Sequence, residues 1–577
     1  MKMHRSVPVA AALAACLPSL AIGSDDPLRR PFPELLTVTD LDGRLGYAFR
    51  TDDSATGLGF SLASAGDVDG DGLDDVIVGA PGIDRGSVFV IFGRAGSTAP
   101  VLDPSDLDGT LGFRIEPVAP IDNQLGYRVG GGADLNNDGI DDIVLGLPRA
   151  NPGTAGAVYV IFGRRTFPPA ISTDGLDGTN GFVIRSAGID DLGESVSAGG
   201  DLNGDGIDDL IIGAPQQPGG GKAIVVFGRP GDFPASLDAL QLPPGQGFLL
   251  QAEDGANEAG RTVANLGDVS GDGLADFAVG APGADGGARR AGRVYIVFGR
   301  DGTPGSTFPP IMALGDPTAG FIVNGPDDFA YLGLVTAAAG DVNADGLADV
   351  AIGSPNIWGP AGREGGVAAV IFGQSPDDPE FAGEIDLASL QAPQGFRMAG
   401  TRQAERLGTT VAGLGDVNGD GVDDLLVGAP VSPTSGMQPG RAYVVYGRST
   451  GFGLDVTLEQ PEAFGGFIVE GAHPRGRAGA SAAGVGDTNG DGVADILLGA
   501  PEAIVGSGST RGEMYVVLGR RAPCPADADC DGALTANDFF TVLNLFDAGD
   551  PAADFDGDGS LTIFDFLAFQ NAFDAGC

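Results

Sequence analysis

The sequence predicts an all-β, seven-bladed β-propeller followed by a small C-terminal α-helical module that contains two EF-hand-like loops. Two observations support this prediction. A nine-residue acidic motif recurs seven times, at intervals of 67 to 75 residues, within residues 45–520. A different duplication occupies the last 54 of the 577 residues. Seven copies at so regular a period indicate one repeat architecture rather than several separate domains.

The N-terminal segment, residues 1–23, has the composition of a secretory signal peptide. A basic start precedes an Ala/Leu-rich stretch over residues 7–20, and small residues lead up to Gly23. We therefore predict cleavage near Gly23, a mature N-terminal segment over 24–44, and a secreted or cell-surface protein. A lipoprotein signal with the lipid on Cys16 is the alternative. The apolar stretch is shorter than the ~20 residues that span a bilayer, so no transmembrane segment is expected.

Charge and composition disfavour two classes of function. The chain has 78 Asp and Glu against 32 Lys and Arg, a formal charge of −46. Such a surface repels phosphate and has few cations to replace counterions, so we expect no nucleic-acid partner. The only histidines are His4 and His473, and no nucleophile–base pair stands out in the sequence. We expect a monomer that is not an enzyme.

Each acidic motif has the form D-x-[DNS]-x-D-G-x-x-D and lies between β-rich segments. A Ser/Val/Ala-rich run precedes the motif, and an apolar run that ends in Gly-Ala-Pro or a close variant follows it. A Gly-aromatic segment, such as Gly112–Ile115, comes first in the unit, and a second apolar run, such as Val88–Arg94, closes it. Short runs of this composition are typical of strands, and their lack of alternation indicates cover on both faces. Seven units of four strands predict a radial propeller.

The two ends of the repeated region predict how the ring closes. The strand-like segment Gly46–Phe49 precedes the first motif, and Tyr515–Arg520 ends the seventh unit. We therefore expect the N-terminal strand to complete the last blade and lock the ring.

The motif offers oxygen ligands at positions 1, 3, 5 and 9, and the carbonyl of position 7 can add another. Calcium takes six to eight such oxygens at about 2.3–2.6 Å, and the glycine at position 6 permits the required turn. With no His or Cys nearby, zinc and copper are disfavoured. Solvated Asp/Asn/Gly turns are the alternative interpretation. The predicted ligands are Asp67, Asp69, Asp71, Leu73, Asp75; Asp134, Asn136, Asp138, Ile140, Asp142; Asp201, Asn203, Asp205, Ile207, Asp209; Asp268, Ser270, Asp272, Leu274, Asp276; Asp341, Asn343, Asp345, Leu347, Asp349; Asp416, Asn418, Asp420, Val422, Asp424; and Asp487, Asn489, Asp491, Val493, Asp495.

These motifs resemble the FG-GAP repeats of integrin α-subunit propellers over about residues 45–520. The matching pieces are D-x-[DN]-x-D-G-x-x-D and the following V-G-A-P. The resemblance implies a seven-bladed propeller with calcium in the loops between the first two strands of a blade. Two features depart from the integrin pattern: Leu-Gly or Ala-Gly replaces Phe-Gly, and all seven repeats keep the acidic loop. The sequence also has no Arg-Gly-Asp, so the resemblance implies the scaffold and adhesion rather than integrin signalling.

The C-terminal region, residues 521–577, contains two copies of a 12-residue EF-hand-like loop. Positions 1, 3, 5 and 12 are acidic and position 6 is glycine, which predicts two further calcium sites and up to nine in the chain. An apolar stripe follows each loop and predicts two helices that pack together. The stripes are Phe539, Val542, Leu543 and Phe546, then Phe566, Phe569 and Phe573. The predicted ligands are Asp527, Asp529, Asp531, Asp538, Asp554, Asp556, Asp558 and Asp565.

The paired loops and the flanking Cys524-Pro525 and Gly576-Cys577 resemble a GC-type dockerin domain. The resemblance implies attachment to a cohesin-like receptor through loop positions 10 and 11. These positions are Ala536, Asn537, Ile563 and Phe564. No Lys or Arg follows in either helix, so the resemblance implies calcium binding more strongly than it implies a cohesin-like partner.

The C-terminal region also contains all the cysteines beyond residue 23. Outside the cytoplasm a Cys524–Cys577 disulfide would bracket the module and leave Cys530 unpaired, and three free or buried thiols are the alternative.

The combined prediction is a secreted or cell-surface, calcium-binding propeller that acts in adhesion or in binding a protein or glycan, attached through its C-terminal module. A polysaccharide-acting enzyme on a propeller scaffold and a purely structural matrix protein are the alternatives. Fold alone does not decide among them.

Overall fold

The architecture is known from a computed structural model that describes most of the chain. The described residues are 31–51, 57–82, 86–96, 98–117, 124–148, 156–185, 191–216, 220–243, 245–251, 257–301, 319–356, 365–376, 383–400, 405–432, 438–503, 512–521, 536–548, 553 and 562–575. The signal segment, Cys16 and the three C-terminal cysteines lie outside these ranges. The larger of two compact units comprises residues 34–417 and 421–519, and the smaller includes residues 520–577.

The larger unit is a ring of seven β-sheets, which confirms the predicted all-β, seven-bladed propeller. Blades are numbered here by the order of their acidic loops, and the four main strands of each are antiparallel neighbours. The first strands are Ser61–Gly66, Arg128–Ala133, Ser195–Ala198, Thr262–Gly267, Val335–Gly340, Thr410–Gly415 and Ser481–Gly484. The second strands are Asp75–Ala80, Asp142–Leu147, Leu210–Ala214, Asp276–Ala281, Asp349–Ser354, Asp424–Ala429 and Ile496–Ala500.

The third and fourth strands complete each blade outward from the centre. The third strands are Ser87–Ile91, Ala157–Ile161, Lys222–Val226, Arg293–Val297, Val367–Ile371, Arg441–Val445 and Glu513–Val517. The fourth strands are Gly112–Glu116, Gly181–Arg185, Gly247–Gln251, Gly320–Asn324, Gly395–Ala399, Gly466–Glu470 and, for the seventh blade, Gly46–Arg50.

The first strands line the centre, where each contacts the first strands of both neighbouring blades. Ser481–Gly484 in turn contacts Ser61–Gly66, so the circle of strands is complete. Small residues permit this approach. A Cβ added to Gly413 would lie 2.8 Å from the Ala338 carbonyl oxygen of the preceding blade, a distance at which the strands would have to separate.

The N-terminal strand closes the ring as predicted. Gly46–Arg50 pairs antiparallel with Glu513–Val517, and Tyr47 lies opposite Val516. The chain therefore joins its beginning to its last repeat through a full strand ladder.

A fifth strand on the outer edge of six blades was not predicted from the sequence. It pairs in parallel with the fourth strand of its blade and contains only two or three residues. The edge strands are Ala170–Ser172, Ser236–Asp238, Glu384–Asp386, Asp455–Thr457, Leu35–Thr37 and Val101–Leu102, on blades 1, 2, 4, 5, 6 and 7. Such short segments carry too little periodicity to be recognised as strands.

The hydrophobic core lies between adjacent blades. One cluster joins Val90 and Phe113 of the first blade to Ile143 and Tyr159 of the second, all buried. Second and third strands are buried along almost their whole length, with patterns such as Asp75–Ala80 and Ser87–Ile91 that are buried at every residue. This burial on both faces explains the absence of alternation in the sequence.

Short helical turns interrupt the propeller, and two longer helices belong to the smaller unit. The turns are Val38–Asp40, Pro104–Asp106, Thr173–Gly175, Leu387–Ser389, Ala392–Gln394 and Pro461–Phe464. The two helices are Ala536–Ala548 and Ile563–Ala575.

The two C-terminal helices pack together, as the apolar stripes predicted. The Phe539 ring lies 4.9 Å from the Phe569 ring and 6.0 Å from the Phe566 ring, between centroids. Val542 and Phe569 are buried. Leu543 departs from the prediction, because its side chain is 47% exposed. The described side chains on the predicted receptor-contact positions, Ile563 and Phe564, are 65% and 63% exposed.

We expect Phe49→Ala to destabilise the propeller strongly, because the closing strand carries this fully buried ring against Phe89 at 5.4 Å between centroids. Truncating a buried phenylalanine costs about 3–5 kcal/mol in free energy of unfolding. Chemical denaturation measures the loss. The control is Leu35→Ala, a residue that is 46% exposed on an edge strand. Equal small losses for both variants would show that the N-terminal strand does not hold the ring.

Candidate metal centres and a second face

All seven acidic loops join the first strand of a blade to its second strand, so they lie together at one end of the strands. In the first loop, carboxylate oxygens of Asp67, Asp69 and Asp71 lie within 4.8 Å of one another. This spacing allows the three carboxylates to contact one ion.

The aspartate at position 1 organises the loop. In every loop one of its oxygens accepts the N–H of the position 6 glycine, at 2.6–2.8 Å. In six loops the position 5 N–H donates to the same carboxylate at 2.9–3.1 Å. The position 6 glycines have φ between 77° and 93°, which confirms the predicted left-handed turn.

The aspartate at position 5 fixes the next part of the loop. Its carboxylate accepts the N–H of position 7 at 2.9–3.0 Å in six loops. The loop therefore folds around the carboxylates of positions 1 and 5, which accept backbone amides, and in the fifth loop the Asn343 side chain also donates to Asp345 at 2.9 Å.

The residue at position 3 provides the clearest test of whether an ion fits. Asn136 in the second loop is 6% exposed, and no donor among the described residues reaches its buried Oδ1. A buried acceptor without a partner costs about 1–3 kcal/mol. A cation at the centre of the loop would satisfy this oxygen, as it would the carboxylates of positions 1 and 5. The donor set therefore fits a hard cation such as calcium.

The aspartate at position 9 is fully buried in all seven blades and connects two distant parts of its blade. Its Oδ2 accepts the N–H of position 2, at 2.9–3.1 Å. Its Oδ1 accepts the N–H of the glycine after the third strand, such as Gly93, at 2.7–3.0 Å. Sequence reasoning predicted this residue only as a ligand. A carboxylate has about four acceptor sites, so the two amides leave room for an ion.

Burial also controls the charge of these position 9 carboxyls. It raises the pKa of Asp75, Asp142, Asp209 and Asp349 to about 8. It raises the pKa of the corresponding Asp276 and Asp495 to about 7. Neighbouring loop aspartates add to the effect, and the amide hydrogen bonds oppose it. Without a counter-charge, ionisation here is unfavourable, and a bound cation would supply that charge.

The sixth loop and the C-terminal loops complete the comparison with the predicted ligands. Asp416 accepts the Gly421 N–H at 2.7 Å, and Asp424 and Asn418 are buried. Asp565 is buried and accepts the Thr562 N–H at 2.6 Å, at the start of its helix. Asp538 lies in the helix Ala536–Ala548, with its side chain outside the described set. The other predicted ligands there lie outside the described residues: Asp527, Asp529, Asp531, Asp554, Asp556 and Asp558.

A cavity of about 400 Å³ lies at the opposite end of the strands, where the first strands begin. Five of its lining residues come from equivalent turns of three successive blades, each built as X-Leu-Gly-Y or X-Ala-Gly-Y, and the other three follow the second strands of blades 2 and 3. The lining residues are Gln124, Tyr127, Pro148, Glu194, Pro215, Gln216, Glu258 and Arg261. These residues were not predicted from the sequence. The signal that could have identified them is that X and Y differ from repeat to repeat, whereas the Leu-Gly or Ala-Gly pair between them is nearly constant.

A charged network organises this cavity. Glu194, which is 7% exposed, forms an ion pair with Arg261 of the next blade. Arg128 of the preceding blade donates from Nε to the Glu194 carbonyl at 2.7 Å and stacks over the Tyr127 ring at 4.6 Å. The pairing holds the wall side chains in place before a ligand arrives.

His473 lies near the seventh blade with more partners than the sequence indicated. Its Nε2 is 3.2 Å from the buried Glu513, and the Tyr515 hydroxyl donates to the same carboxylate. The hydrogen bond with Glu513 raises the pKa of His473. His473 therefore belongs to a group of interacting polar side chains with Glu513 and Tyr515.

Comparison with known proteins gives the identity of the repeat. Seven segments match the FG-GAP repeat, and together they cover a little under half of the chain: 58–91, 125–161, 192–226, 259–297, 334–368, 407–446 and 478–516. Each segment contains one acidic loop. The chain therefore carries seven FG-GAP repeats.

Similar proteins fall into two groups. Phosphatidylinositol-glycan-specific phospholipase D from Homo sapiens is 28% identical over 421 residues, 69% of this chain and 46% of that protein. Integrin alpha pat-2 from Caenorhabditis elegans is 33% identical over 183 residues, 30% of this chain and 14% of that protein. The chain thus spans less than half the length of these relatives. The matches support an integrin-like β-propeller. No helix in the described ranges is long and apolar enough to cross a membrane.

We expect positions 5 and 9 of one loop to respond differently to substitution in calcium-free protein. Asp142→Ala removes the acceptor of two buried amides, on Leu135 and Gly163, at a cost of about 1–3 kcal/mol each. Asp138→Ala removes an exposed carboxylate and should cost less than about 1 kcal/mol. Urea denaturation in chelator compares the two. Equal losses would contradict the structural role of position 9.

Proposed function

We propose that this integrin-like FG-GAP propeller is a secreted or cell-surface protein that binds calcium in its loops and a ligand at the opposite end of its strands, in adhesion or recognition. The observation that carries the proposal is the contrast between the two ends. One end repeats the same oxygen-rich loop seven times, whereas the other surrounds a cavity with side chains that differ from blade to blade.

The calcium part of the proposal rests on the charge and burial of the loops. Side-chain oxygens of positions 1, 3, 5 and 9, with the position 7 carbonyl, would hold the ion, which would neutralise the buried carboxylates. The orphaned Asn136 oxygen and the raised pKa of the position 9 carboxyls support this assignment. The EF-hand-like loops of the C-terminal module would add up to two sites.

The ligand part of the proposal rests on the cavity. Arg261 and Gln216 offer donors, Glu258 and Gln124 offer acceptors, and the walls are already fixed by the Glu194 ion pair. Pockets that combine a preformed shape with a few fixed polar groups are the usual sites of specific binding. A polar segment of a protein or a glycan suits these walls better than an apolar ligand does.

A hydrolase is the second candidate function, and the phospholipase D relatives favour it. His473, Glu513 and Tyr515 form one group of interacting ionisable side chains that could support acid–base chemistry. The Glu513 carboxylate is only 2% exposed, which leaves little access for a substrate. We therefore rank binding above hydrolysis.

The C-terminal module is proposed as the attachment element. Two helices that follow EF-hand-like loops fit a dockerin-like domain, and the exposed Ile563 and Phe564 stand where a cohesin-like receptor would contact it.

Removing calcium should destabilise the propeller strongly. A ligand at 100 times its Kd stabilises a protein by about 2.7 kcal/mol for each site, so several sites together should shift the melting temperature by many degrees. Calorimetry of full-length protein in calcium and in chelator measures the shift, and metal analysis after dialysis gives the stoichiometry. An unchanged melting temperature in excess chelator would refute calcium binding as the role of the loops.

Arg261→Ala should reduce ligand binding and, because it removes an ion-pair partner of the buried Glu194, should also lower the melting temperature. Glycan arrays and a panel of matrix proteins identify a ligand first, and the variant should then weaken binding at least about 10-fold, the effect of losing a charged hydrogen bond. The matched control is Arg477→Ala, at the equivalent turn of the seventh blade and outside the cavity. Equal binding by both variants would place the site elsewhere, and release of product from the ligand would favour the hydrolase.

A further inference from the structure

Position 8 of the acidic loop divides the seven repeats into two kinds. It is aspartate in four loops and alanine in three, and it is not one of the predicted calcium ligands. The aspartates are Asp74, Asp141, Asp208 and Asp423, and the alanines are Ala275, Ala348 and Ala494.

Each of these aspartates contacts the loop of the preceding blade. The carboxylate accepts the backbone N–H of that loop's position 1: Asp141 from Asp67 at 2.8 Å and Asp208 from Asp134 at 3.0 Å. The other two pairs repeat the contact, Asp423 with Asp341 at 2.9 Å and Asp74 with Asp487 at 2.8 Å. The same hydrogen bond thus occurs at four of the seven blade interfaces.

The surrounding backbone is alike at both kinds of interface, so the side chain is the difference. The position 8 N–H donates to the position 1 carbonyl from Asp141 at 3.2 Å, and equally from Ala275 at 3.0 Å and Ala348 at 2.9 Å. Alanine interfaces therefore keep the backbone contact and lack the carboxylate. The aspartate and alanine interfaces can therefore be compared within one molecule.

At three of the four aspartate interfaces the carboxylate fits a space left by a glycine, and at the fourth Ala133 precedes position 1. Gly66 precedes position 1 of the first loop, and a Cβ there would lie 2.0 Å from the Asp141 Oδ2. Gly340 and Gly486 leave the same space for Asp423 and Asp74, at 2.3 and 2.0 Å. At the interface of blades 4 and 5, a Cβ added to Gly267 would lie 3.3 Å from the Ala348 Cβ. The shorter alanine side chain therefore fills less of this space than an aspartate does.

We propose that the position 8 aspartates are positioning residues that couple the cation loop of one blade to the loop of the next. The argument rests on the proposed calcium function of the loops. Position 1 is the residue whose carboxylate receives the amides of positions 5 and 6, so its backbone placement determines the geometry of the remaining ligands. A carboxylate from the next blade holds that backbone in place.

The distribution of aspartates then divides the ring. Coupled interfaces join blades 7, 1, 2 and 3 in one arc and blades 5 and 6 in another, and blade 4 stands alone between alanine interfaces. The longest arc includes the junction of blades 7 and 1, where the N-terminal strand closes the ring. Loops within an arc should bind calcium with mutual dependence, whereas the loop of blade 4 should act independently.

Hydrogen exchange of full-length protein, read by mass spectrometry, tests the coupling. Asp141→Ala should raise amide exchange about 10-fold over residues 67–72, in the preceding loop, and leave residues 134–139 of its own loop unchanged. Asp141→Asn keeps an acceptor oxygen and should restore the protection. Faster exchange confined to residues 134–139, or an Asn variant that behaves as the Ala variant does, would overturn the proposal.

The reverse substitution keeps the test valid if Asp141→Ala fails to fold. Ala348→Asp places a carboxylate against the loop of blade 4 and should slow exchange over residues 268–273, and no slowing would count against the coupling. Both variants are measured in chelator and in calcium. The change in exchange in chelator tests the coupling alone. If calcium changes the exchange of no variant, the proposed metal function is refuted, but the hydrogen bond between the blades is not.

Discussion

The fully buried carboxylate at position 9 is the interaction on which each blade depends. It ties the start of the acidic loop to the end of the third strand through two amides, and it repeats in all seven blades. The interaction also explains the glycine that follows the third strand, which is Gly93 in the first blade. A Cβ on Gly93 would lie 2.5 Å from the Asp74 carbonyl oxygen, so a larger residue would push the loop away from the strand.

The architecture could be predicted from the sequence because each strand and turn pattern occurs seven times. Seven Asp-Gly turns at one period, with strand-like runs between them, left few alternatives to a closed ring, and the Tyr47–Val516 pairing follows from counting strands. The turn of the acidic loop could be predicted equally well, since the left-handed glycine at Gly72 and its six counterparts is a local property of the motif.

The features that were missed all depend on contacts distant in sequence. The partner of Asp141 lies 74 residues away, and the strand ladders of the outer edges pair segments of different repeats. The Glu194 network likewise joins three blades. A motif cannot show which neighbour a side chain will meet, because that depends on the register and stagger of whole blades.

The N-terminal strands bear on how the chain folds. Leu35–Thr37 lies on the sixth blade and Gly46–Arg50 on the seventh, each more than 400 residues from its partner strand. These two strands are synthesised long before the repeats that contain their partners, so they remain unpaired until those repeats are made. Contacts of such long sequence separation slow folding, so ring closure should be the late step, and the earlier blades must stay soluble with one interface open.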